Sequence, residues 1–369
     1  MLFERGQTER LRRRFEKYFE KISAKLQHRT RKMHRRVKAA YAHGKITGPQ
    51  ARELQTLIYD FQLEHGMADS QFGLRRLDSM KGAASFRRSL FQQFRRDELQ
   101  PFPVGDLFRD KQATRKFMRG LGARVPACSE PMTFEEALET IDSRPPFDAM
   151  VLKPLQGGGG NGVFIIRGPR NIFQFRGRKN HTSYKEMEEA ARRVIAERKL
   201  PLDNWIIEEL VTRPDALEKP PRDLKFYCFY GRVGLVLESD WIDGKRRMSF
   251  WTGDSEPTTP ARGYDRMSGS GVRSEDVAFA AELSARLPLP YVRLDFLEGP
   301  DGLVFGEMSE FTGKFERYPR SQDRRLGEYY LDAQSRLYLD LLRGKQFPEF
   351  MEIAKKNESL RKTIAKPVH

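Results

Sequence analysis

The sequence predicts a protein of mixed α and β structure, preceded by a basic helical segment. An apolar stripe with helical spacing runs through the first fifty residues. Short apolar runs typical of strands dominate the chain after residue 148, and helical patterns separate some of them. Because most of these runs follow one another directly, we expect largely antiparallel sheets in an α+β or α/β arrangement.

Residues 9 to 43 are predicted to form one long basic helix. Apolar residues recur at spacings of three or four, which places them on one helix face: Leu11, Phe15, Tyr18, Ile22 and Leu26. Positions 21 to 45 hold nine Lys and Arg residues and no acidic residue. The first hundred residues hold 23 Lys and Arg against 11 Asp and Glu, so most of the net charge of +16 belongs to this segment.

Composition also predicts the domain boundaries. Further helices are expected near residues 48 to 66 and 70 to 98, and the proline-containing stretch LQPFPVGDLFRDK is typical of a linker. We therefore predict a basic helical region over 1–100, a catalytic domain over 101–345 and a polar tail over 346–369. The basic region has three open interpretations: a solvated arm that packs on a partner, a patch that binds anionic lipid or a lipid-linked acidic glycan, and a nucleic-acid surface.

The elements after residue 104 are predicted in chain order. The stretch DKQATRKFMRGLGARVP is expected to be a helix that ends at Gly120 or Gly122, and TFEEALETID a helix with a capping box between Thr133 and Glu136. Strands are then predicted at AMVLKP, GVFIIR, WIIEELV, LKFYCFYG and VGLVLES. A helix at SEDVAFAAELSARL, two strands at YVRLDFLEG and GLVFGEMSE, and a last helix around LGEYYLDAQSRLYLDLLRG complete the order.

The cysteines and the hydropathy pattern bear on the compartment. Cys128 and Cys228 lie too far apart for a metal-binding spacing, and we expect both to be buried free thiols in a reducing compartment. No run is long enough to cross a bilayer, and the first residues lack the apolar core of a signal peptide. We expect a cytoplasmic protein, with peripheral contact at the inner face of the membrane as one option.

The stretch VLKPLQGGGGNGVFIIR, residues 151 to 167, is the first candidate for a ligand site. Its glycines formally fit G-x-G-x-x-G, but a strand follows instead of the helix that a dinucleotide site requires. A strand–loop–strand hairpin remains, whose bare backbone N–H groups suit an anion. A plain glycine-rich turn without a ligand is the alternative.

Two acidic strands near the C-terminus form the second candidate site. The strands YVRLDF and VFGEMSE are joined by a short turn. Arg293 and Asp295 share a face of the first strand, and Glu307 and Ser309 share a face of the second. Two carboxylates that meet across such a hairpin suit Mg²⁺. A surface Arg–Asp pair and a solvated Glu are the alternative.

In chain order these segments resemble the ATP-grasp superfamily, and most closely its TupA-like branch, which is linked to teichuronopeptide biosynthesis. The resemblance spans roughly residues 104 to 340. It implies an ATP-grasp fold, in which two α+β subdomains with antiparallel sheets clasp ATP. Most members begin with a Rossmann-like domain, whereas the first hundred residues here are helical and basic in pattern.

The resemblance implies roles for the residues of the matching segments. For ATP it assigns Lys111 and Lys153 to the phosphates, Gly157, Gly158, Gly159, Gly160 and Gly162 to the flap, Glu208 to the adenine amine, the backbone of Glu209 and Val211 to the adenine slot, and Asp223 to the ribose. For catalysis and metal binding it assigns Arg293 to the acyl phosphate, Gly313 to the oxyanion, and Asp295 and Glu307 to Mg²⁺. Ser309, which stands where many members have Asn, is a further candidate ligand for Mg²⁺. Lys225 is expected to point into the same cleft and is a candidate catalytic residue.

The implied reaction is ATP-dependent amide formation from a carboxylate and an amine through an acyl phosphate, with Mg²⁺, in surface-polysaccharide or peptide-polymer synthesis. Lys314 and Arg320 are candidates to hold an anionic small-molecule or glycan substrate. Two alternatives stay open: an ATP-dependent kinase of a sugar or small molecule, and a basic nucleic-acid- or membrane-binding protein with a degenerate ATP-grasp domain.

Overall fold

The computed structural model describes residues 5–64, 84–99, 104–143, 149–155, 160–198, 200, 204–213, 220–260, 263–313 and 317–355. It divides into two units. The first comprises Met1–Phe91 and Tyr318–Asp332, and the second Gln92–Arg317 and Ala333–His369. The predicted boundaries at residues 100 and 345 stay predictions.

The helices include those predicted within the described residues, together with Tyr184–Arg198, which was not predicted, and Val104–Arg109, which lies in the predicted linker. They are α1 Arg5–Ala42, α2 Gly48–Glu64, α3 Phe86–Leu99, α4 Val104–Arg109, α5 Lys111–Gly120, α6 Phe134–Asp142, α7 Tyr184–Arg198, α8 Ser274–Ala285 and α9 Arg320–Leu342. Residues 348–355 are also helical. The part of the third predicted helix before residue 84 lies outside the described residues. None of the helices in the described ranges combines the length and the apolar character needed to cross a bilayer.

The first unit contains the basic helix α1 and the helix α2, which holds one Arg and three acidic residues. Helix α1 packs along α2, and at their contact the Gln62 amide donates to the buried hydroxyl of Thr30 at 3.3 Å. Near the start of α9, the Asp323 carboxylate accepts from the Ser85 hydroxyl at 2.8 Å and from the Arg87 backbone N–H at 2.9 Å. The prediction of a helical N-terminal region is therefore confirmed.

The second unit contains two antiparallel sheets. Their strands are β1 Met150–Pro154, β2 Phe164–Ile166, β3 Ile172–Gln174, β4 Lys179–His181, β5 Trp205–Glu209, β6 Asp223–Cys228, β7 Val233–Ile242, β8 Lys245–Trp251, β9 Pro257–Thr258, β10 Val292–Gly299 and β11 Gly302–Ser309. One sheet has the order β4-β3-β2-β1-β5 and the other β11-β10-β6-β7-β8-β9. The predicted α+β class with antiparallel sheets is confirmed.

Each sheet buries one face under helices. Helices α6 and α7 cover the five-stranded sheet, where Phe134 and Met187 pack in one cluster with Leu152 and Trp205. Helix α8 contacts β6 and β7 of the six-stranded sheet. Because strand side chains alternate between faces, burying one face in this way leaves the residues in between on the uncovered face.

Local signals in the sequence account for several element ends. Asp110 caps α5 and accepts from the backbone N–H groups of Gln112 and Ala113. Thr133 and Glu136 form the predicted capping box of α6.

The prediction of two buried thiols is correct for Cys228 and wrong for Cys128, which is exposed. Cys128 lies opposite Glu208 in an isolated antiparallel bridge, so its side chain points to the face of the sheet that the helices do not cover.

Candidate functional site

A cavity of about 640 Å³ lies between the two sheets of the second unit. Val151, Lys153 and Ile165 line it from the five-stranded sheet, and Lys225 and Trp241 line it from the six-stranded sheet. Alternation explains this orientation. In β1, Met150, Leu152 and Pro154 enter the helix-covered core, so Val151 and Lys153 face the cavity.

Two lysines predicted to bind phosphate belong to this region. Lys153 donates to Glu208 Oε1 at 2.6 Å. Burial lowers the pKa of Lys153, and the charge of Glu208 offsets this only in part. Lys111 is the first residue of α5, and burial together with the charge of Lys153 lowers its pKa. A lysine whose pKa is lowered by a neighbouring cation favours an anion between the two charges.

The strands on either side of the glycine loop form the predicted hairpin. Strands β1 and β2 pair antiparallel, with Leu152 opposite Phe164. Gly160 and Gly162 have φ values of +76° and +71°, which favour glycine, and Gly160 lines the cavity. The predicted flap residues Gly157, Gly158 and Gly159 lie outside the described residues.

The two glutamates of β5 form ion pairs. Glu208 is buried between Lys153 and Arg115, so its carboxylate faces two cations where the resemblance implies the adenine amine. Glu209 accepts from Arg124 at 2.9 Å and from the Ala127 backbone N–H at 3.1 Å. Both glutamates line the cavity, as does the buried Val211.

Asp223, predicted to hold the ribose, lies on β6 at the cavity wall. It accepts from Lys225 at 2.9 Å and from Arg246 of β8 at 2.9 Å. Lys225 also donates to Asp295 on the neighbouring strand β10. Burial alone would lower the pKa of Lys225, but the charges of Asp295 and Asp223 more than offset this and raise it.

Asp295 is the centre of a compact charge cluster. Arg293 donates to both of its oxygens, from Nε to Oδ1 at 2.7 Å and from Nη2 to Oδ2 at 2.8 Å. Burial would raise the pKa of Asp295, yet Lys225 and Arg293 hold it below its usual value. The carboxylate is 3% exposed, so the alternative of a surface Arg–Asp pair is excluded.

Glu307 faces Asp295 directly across β10 and β11. Its pKa is raised by partial burial and by the negative charge of Asp295. A cation between the two carboxylates would relieve this repulsion, and Mg²⁺ typically takes one or two protein carboxylates together with phosphate oxygens and water. The described residues hold no group of three or more His, Cys, Asp and Glu suited to a metal. The pair therefore fits Mg²⁺ bound together with a phosphate ligand.

The remaining predicted residues lie beside this cluster. Ser309 faces Arg293 across the strands, but its hydroxyl donates to the Phe311 carbonyl at 2.7 Å and accepts from the Phe311 N–H at 3.2 Å. Gly313 is exposed in a turn. Lys314 lies outside the described residues, and Arg320 belongs to the first unit.

Two features of the cavity are absent from the sequence predictions. Arg115, on α5, pairs with Glu208. Near β3 and β4, Phe175 packs edge-on against Trp241 of β7 at 5.6 Å, and the Arg178 guanidinium lies 4.6 Å from a Trp241 ring. The sequence places Arg115 four residues after Lys111 and therefore on the same helix face, which indicates that both cations point toward the same site. Strands β3 and β4 are three residues each, too short for a periodicity signal.

Comparison with known proteins agrees with this architecture. A family model described as TupA-like ATPgrasp matches residues 94–331. No curated protein matches the sequence.

Three solved structures illustrate the similarity. The ATP-grasp ligase PsnB complexed with minimal precursor has 16% identity and a TM-score of 0.36, and the match covers 63% of each chain. The VanG D-Ala:D-Ser ligase from Enterococcus faecalis has 16% identity and a TM-score of 0.37, over 62% of each chain. The D-alanine-D-alanine ligase from Helicobacter pylori has 12% identity and a TM-score of 0.36, over 62% of this chain and 61% of that one.

The chain thus spans less than two thirds of the length of these solved structures. The family model, in contrast, covers more than half of the chain and includes both sheets and the cavity between them. The protein therefore belongs to the TupA-like ATP-grasp family.

Proposed function

We propose that this protein is an ATP-dependent ligase that joins a carboxylate to an amine through an acyl phosphate. The observation that carries the proposal is the cavity between the sheets, which Lys153 and Lys225 line from opposite walls beside the Arg293–Asp295 pair. Such a cavity suits a triphosphate, because phosphoryl transfer needs mainly positioning and neutralisation of charge. As the resemblance implies, we assign the carboxylate to a cell-surface polysaccharide or peptide polymer.

The proposed chemistry has two steps. A carboxylate oxygen of the substrate attacks the γ-phosphorus of ATP, and the bridging oxygen leaves with ADP. The amine nitrogen then attacks the acyl carbon, phosphate leaves, and the nitrogen loses a proton. Lys111 and Lys153 would hold the phosphates, and Arg293 would stabilise the charge that develops on the acyl phosphate. Asp295 and Glu307 would hold Mg²⁺, which when bound neutralises charge on the transferring phosphoryl group.

The test begins with nucleotide binding. We expect Mg-ATP to bind the wild-type protein in isothermal titration calorimetry and Lys153→Ala to bind it much more weakly, because a phosphate-binding cation is lost. Lys179→Ala is the matched control, since Lys179 is exposed at the edge of the same sheet. Equal binding by the wild type and Lys153→Ala would contradict the proposal.

A screen of carboxylate and amine pairs for ADP formation then identifies the substrates. The ligase predicts that phosphate release depends on the added amine, because phosphate leaves only when nitrogen attacks. A kinase predicts ADP formation with the phosphate retained on the product. ADP formation without phosphate release for any pair would therefore favour the kinase alternative.

Gly160→Ala is expected to weaken ATP binding more than Gly177→Ala. Both positions have positive φ, +76° and +98°, so both substitutions carry left-handed strain of about 1–2 kcal/mol. Only at Gly160 would the new Cβ also lie 2.5 Å from Phe175 Cδ1, which forces this ring of the cavity wall to move. Equal affinities of the two variants, measured by calorimetry, would contradict this reading of the loop.

We also propose that the basic helix α1 of the first unit holds the protein at an anionic membrane surface. A cavity of about 680 Å³ in this unit is lined by apolar residues of α1 and α2, including Met33, Leu57 and Phe61, beside Arg29 and Arg324. Apolar side chains flanked by cations suit an anionic amphiphile.

Vesicle co-sedimentation tests this proposal. We expect the protein to sediment with vesicles containing phosphatidylglycerol and to stay in the supernatant with phosphatidylcholine vesicles. Binding should decrease when Arg29 and Lys32 of α1 are both replaced by Gln, and as salt rises. Preferential binding to duplex DNA or RNA at the same ionic strength would favour the nucleic-acid alternative.

A further inference from the structure

The carboxylate of Glu208 lies between two cations from different elements. Lys153 of β1 donates to Oε1 at 2.6 Å, and Arg115 of α5 donates from Nη2 to Oε2. The Arg115 and Glu208 side chains are 6% and 8% exposed, whereas Lys153 is 21% exposed and lines the cavity. Lys153 is therefore the member of the cluster that a ligand in the cavity can reach.

The charges of this cluster do not balance within it. One buried carboxylate faces two cations, and burial lowers the pKa of Lys153 despite its ion pair. If Lys153 turned to a phosphate and Glu208 had no other partner, a bare carboxylate would remain buried, which is strongly unfavourable. With Arg115 present, Glu208 keeps a full counter-charge after Lys153 leaves.

Among the described residues, Glu208 is the ion-pair partner of Arg115. Arg115 lies one turn after Lys111 on α5, so both cations are on the same helix face. Within the described part of the chain, its buried Nε and Nη1 atoms have no hydrogen-bond partner, and its Nη2 contact with Glu208 is the ion pair described above. Burying a guanidinium with two unsatisfied donors costs free energy. We expect that such a group is retained because its charge pairs with the buried carboxylate.

We propose that Arg115 is a positioning residue that neutralises Glu208 and thereby allows Lys153 to exchange this carboxylate for the phosphates of the nucleotide. The inference rests on the proposed ATP-binding function. It also changes the role of Glu208, which acts as the resting partner of Lys153 and does not read the adenine amine. Recognition of adenine then belongs to the backbone of the segment that follows β5.

The experiment measures Mg-ATP and Mg-GTP affinity by calorimetry for the wild type and for Arg115→Met, Arg115→Lys, Glu208→Gln and the double variant R115M/E208Q. Arg115→Met is expected to weaken ATP binding on the order of tenfold or more, because Lys153 becomes the only counter-ion of a buried carboxylate. Arg115→Lys keeps the charge and should lose less. In the double variant the carboxylate is neutral, so Lys153 is released and most of the affinity should return.

Glu208→Gln alone keeps the test decisive if Arg115→Met does not fold. The proposal expects it to bind ATP more tightly than the wild type, with an unchanged preference for ATP over GTP. If the ion pair were purely structural, its removal would lower the melting temperature of the variants. The loss and recovery of ATP affinity described above would then not be observed.

Several results would overturn the inference. They are wild-type affinity in a folded Arg115→Met variant, no recovery in the double variant, and weaker ATP binding with loss of the ATP preference in Glu208→Gln. The last result would restore the adenine role of Glu208. Absence of ATP binding in the wild type would overturn the proposed function itself and this inference with it.

Discussion

Replacing Arg293 by Met is expected to lower the rate of amide formation about 10²–10³-fold, the usual cost of removing one preorganised electrostatic group. Arg293 is fixed by two hydrogen bonds to Asp295, and its Nη2 lies 3.5 Å from Glu307. Its charge is therefore oriented before any substrate binds. The measurement is ADP release at saturating ATP, with the carboxylate and amine pair that the screen identifies.

Two further variants make this result interpretable. Arg293→Lys keeps the charge but loses the planar fork that contacts both oxygens, so we expect a rate between those of the wild type and Arg293→Met. Arg170→Met changes an exposed arginine in the turn after β2, outside the cavity lining, and should have little effect. A rate for Arg293→Met within a few-fold of the wild type would argue against a role for this residue in the transition state.

The second large effect is expected on stability. Asp295→Asn removes the negative charge that Arg293 and Lys225 share, and leaves both cations in a buried site. Breaking a buried ion pair by removing one partner typically costs about 3–5 kcal/mol. Urea unfolding followed by tryptophan fluorescence measures this loss, because Trp205, Trp241 and Trp251 all lie in the second unit.

Glu307→Gln is the matched control for this loss of stability. Its side chain is 55% exposed, and removing its charge also relieves repulsion with Asp295. We therefore expect no loss of stability comparable to that of Asp295→Asn in protein without nucleotide. If the two variants unfold at the same urea concentration, the charge cluster around Asp295 does not stabilise the fold as described.

Features that depend only on a local pattern of residues could be predicted from the sequence. The Thr133 to Glu136 spacing predicts the start of α6, because a capping box needs only neighbouring backbone and side chains. The alternation in β1 predicts that Lys153 leaves the core face, since successive strand residues point to opposite sides. The pairing of Asp295 with Glu307, by contrast, depends on a register shift between Asp295 and Phe296. Regular pairing from the turn would place Asp295 opposite Gly306, and the sequence pattern does not show this shift.

The partners of the charged side chains were decided only by the tertiary structure. The resemblance implies a contact between Glu208 and the adenine amine, and the structure pairs the Glu208 carboxylate with Arg115, which is 93 residues away in the chain. Lys225 reaches Asp295 across 70 residues. A sequence pattern indicates which face a side chain occupies, whereas a buried charge takes its partner from whatever element packs against that face. The sequence alone thus determined the capping of α6, the antiparallel class, most of the strands and the orientation of Lys153. Packing between distant elements determined which charged residues neutralise one another and which further residues, such as Phe175 and Trp241, line the cavity.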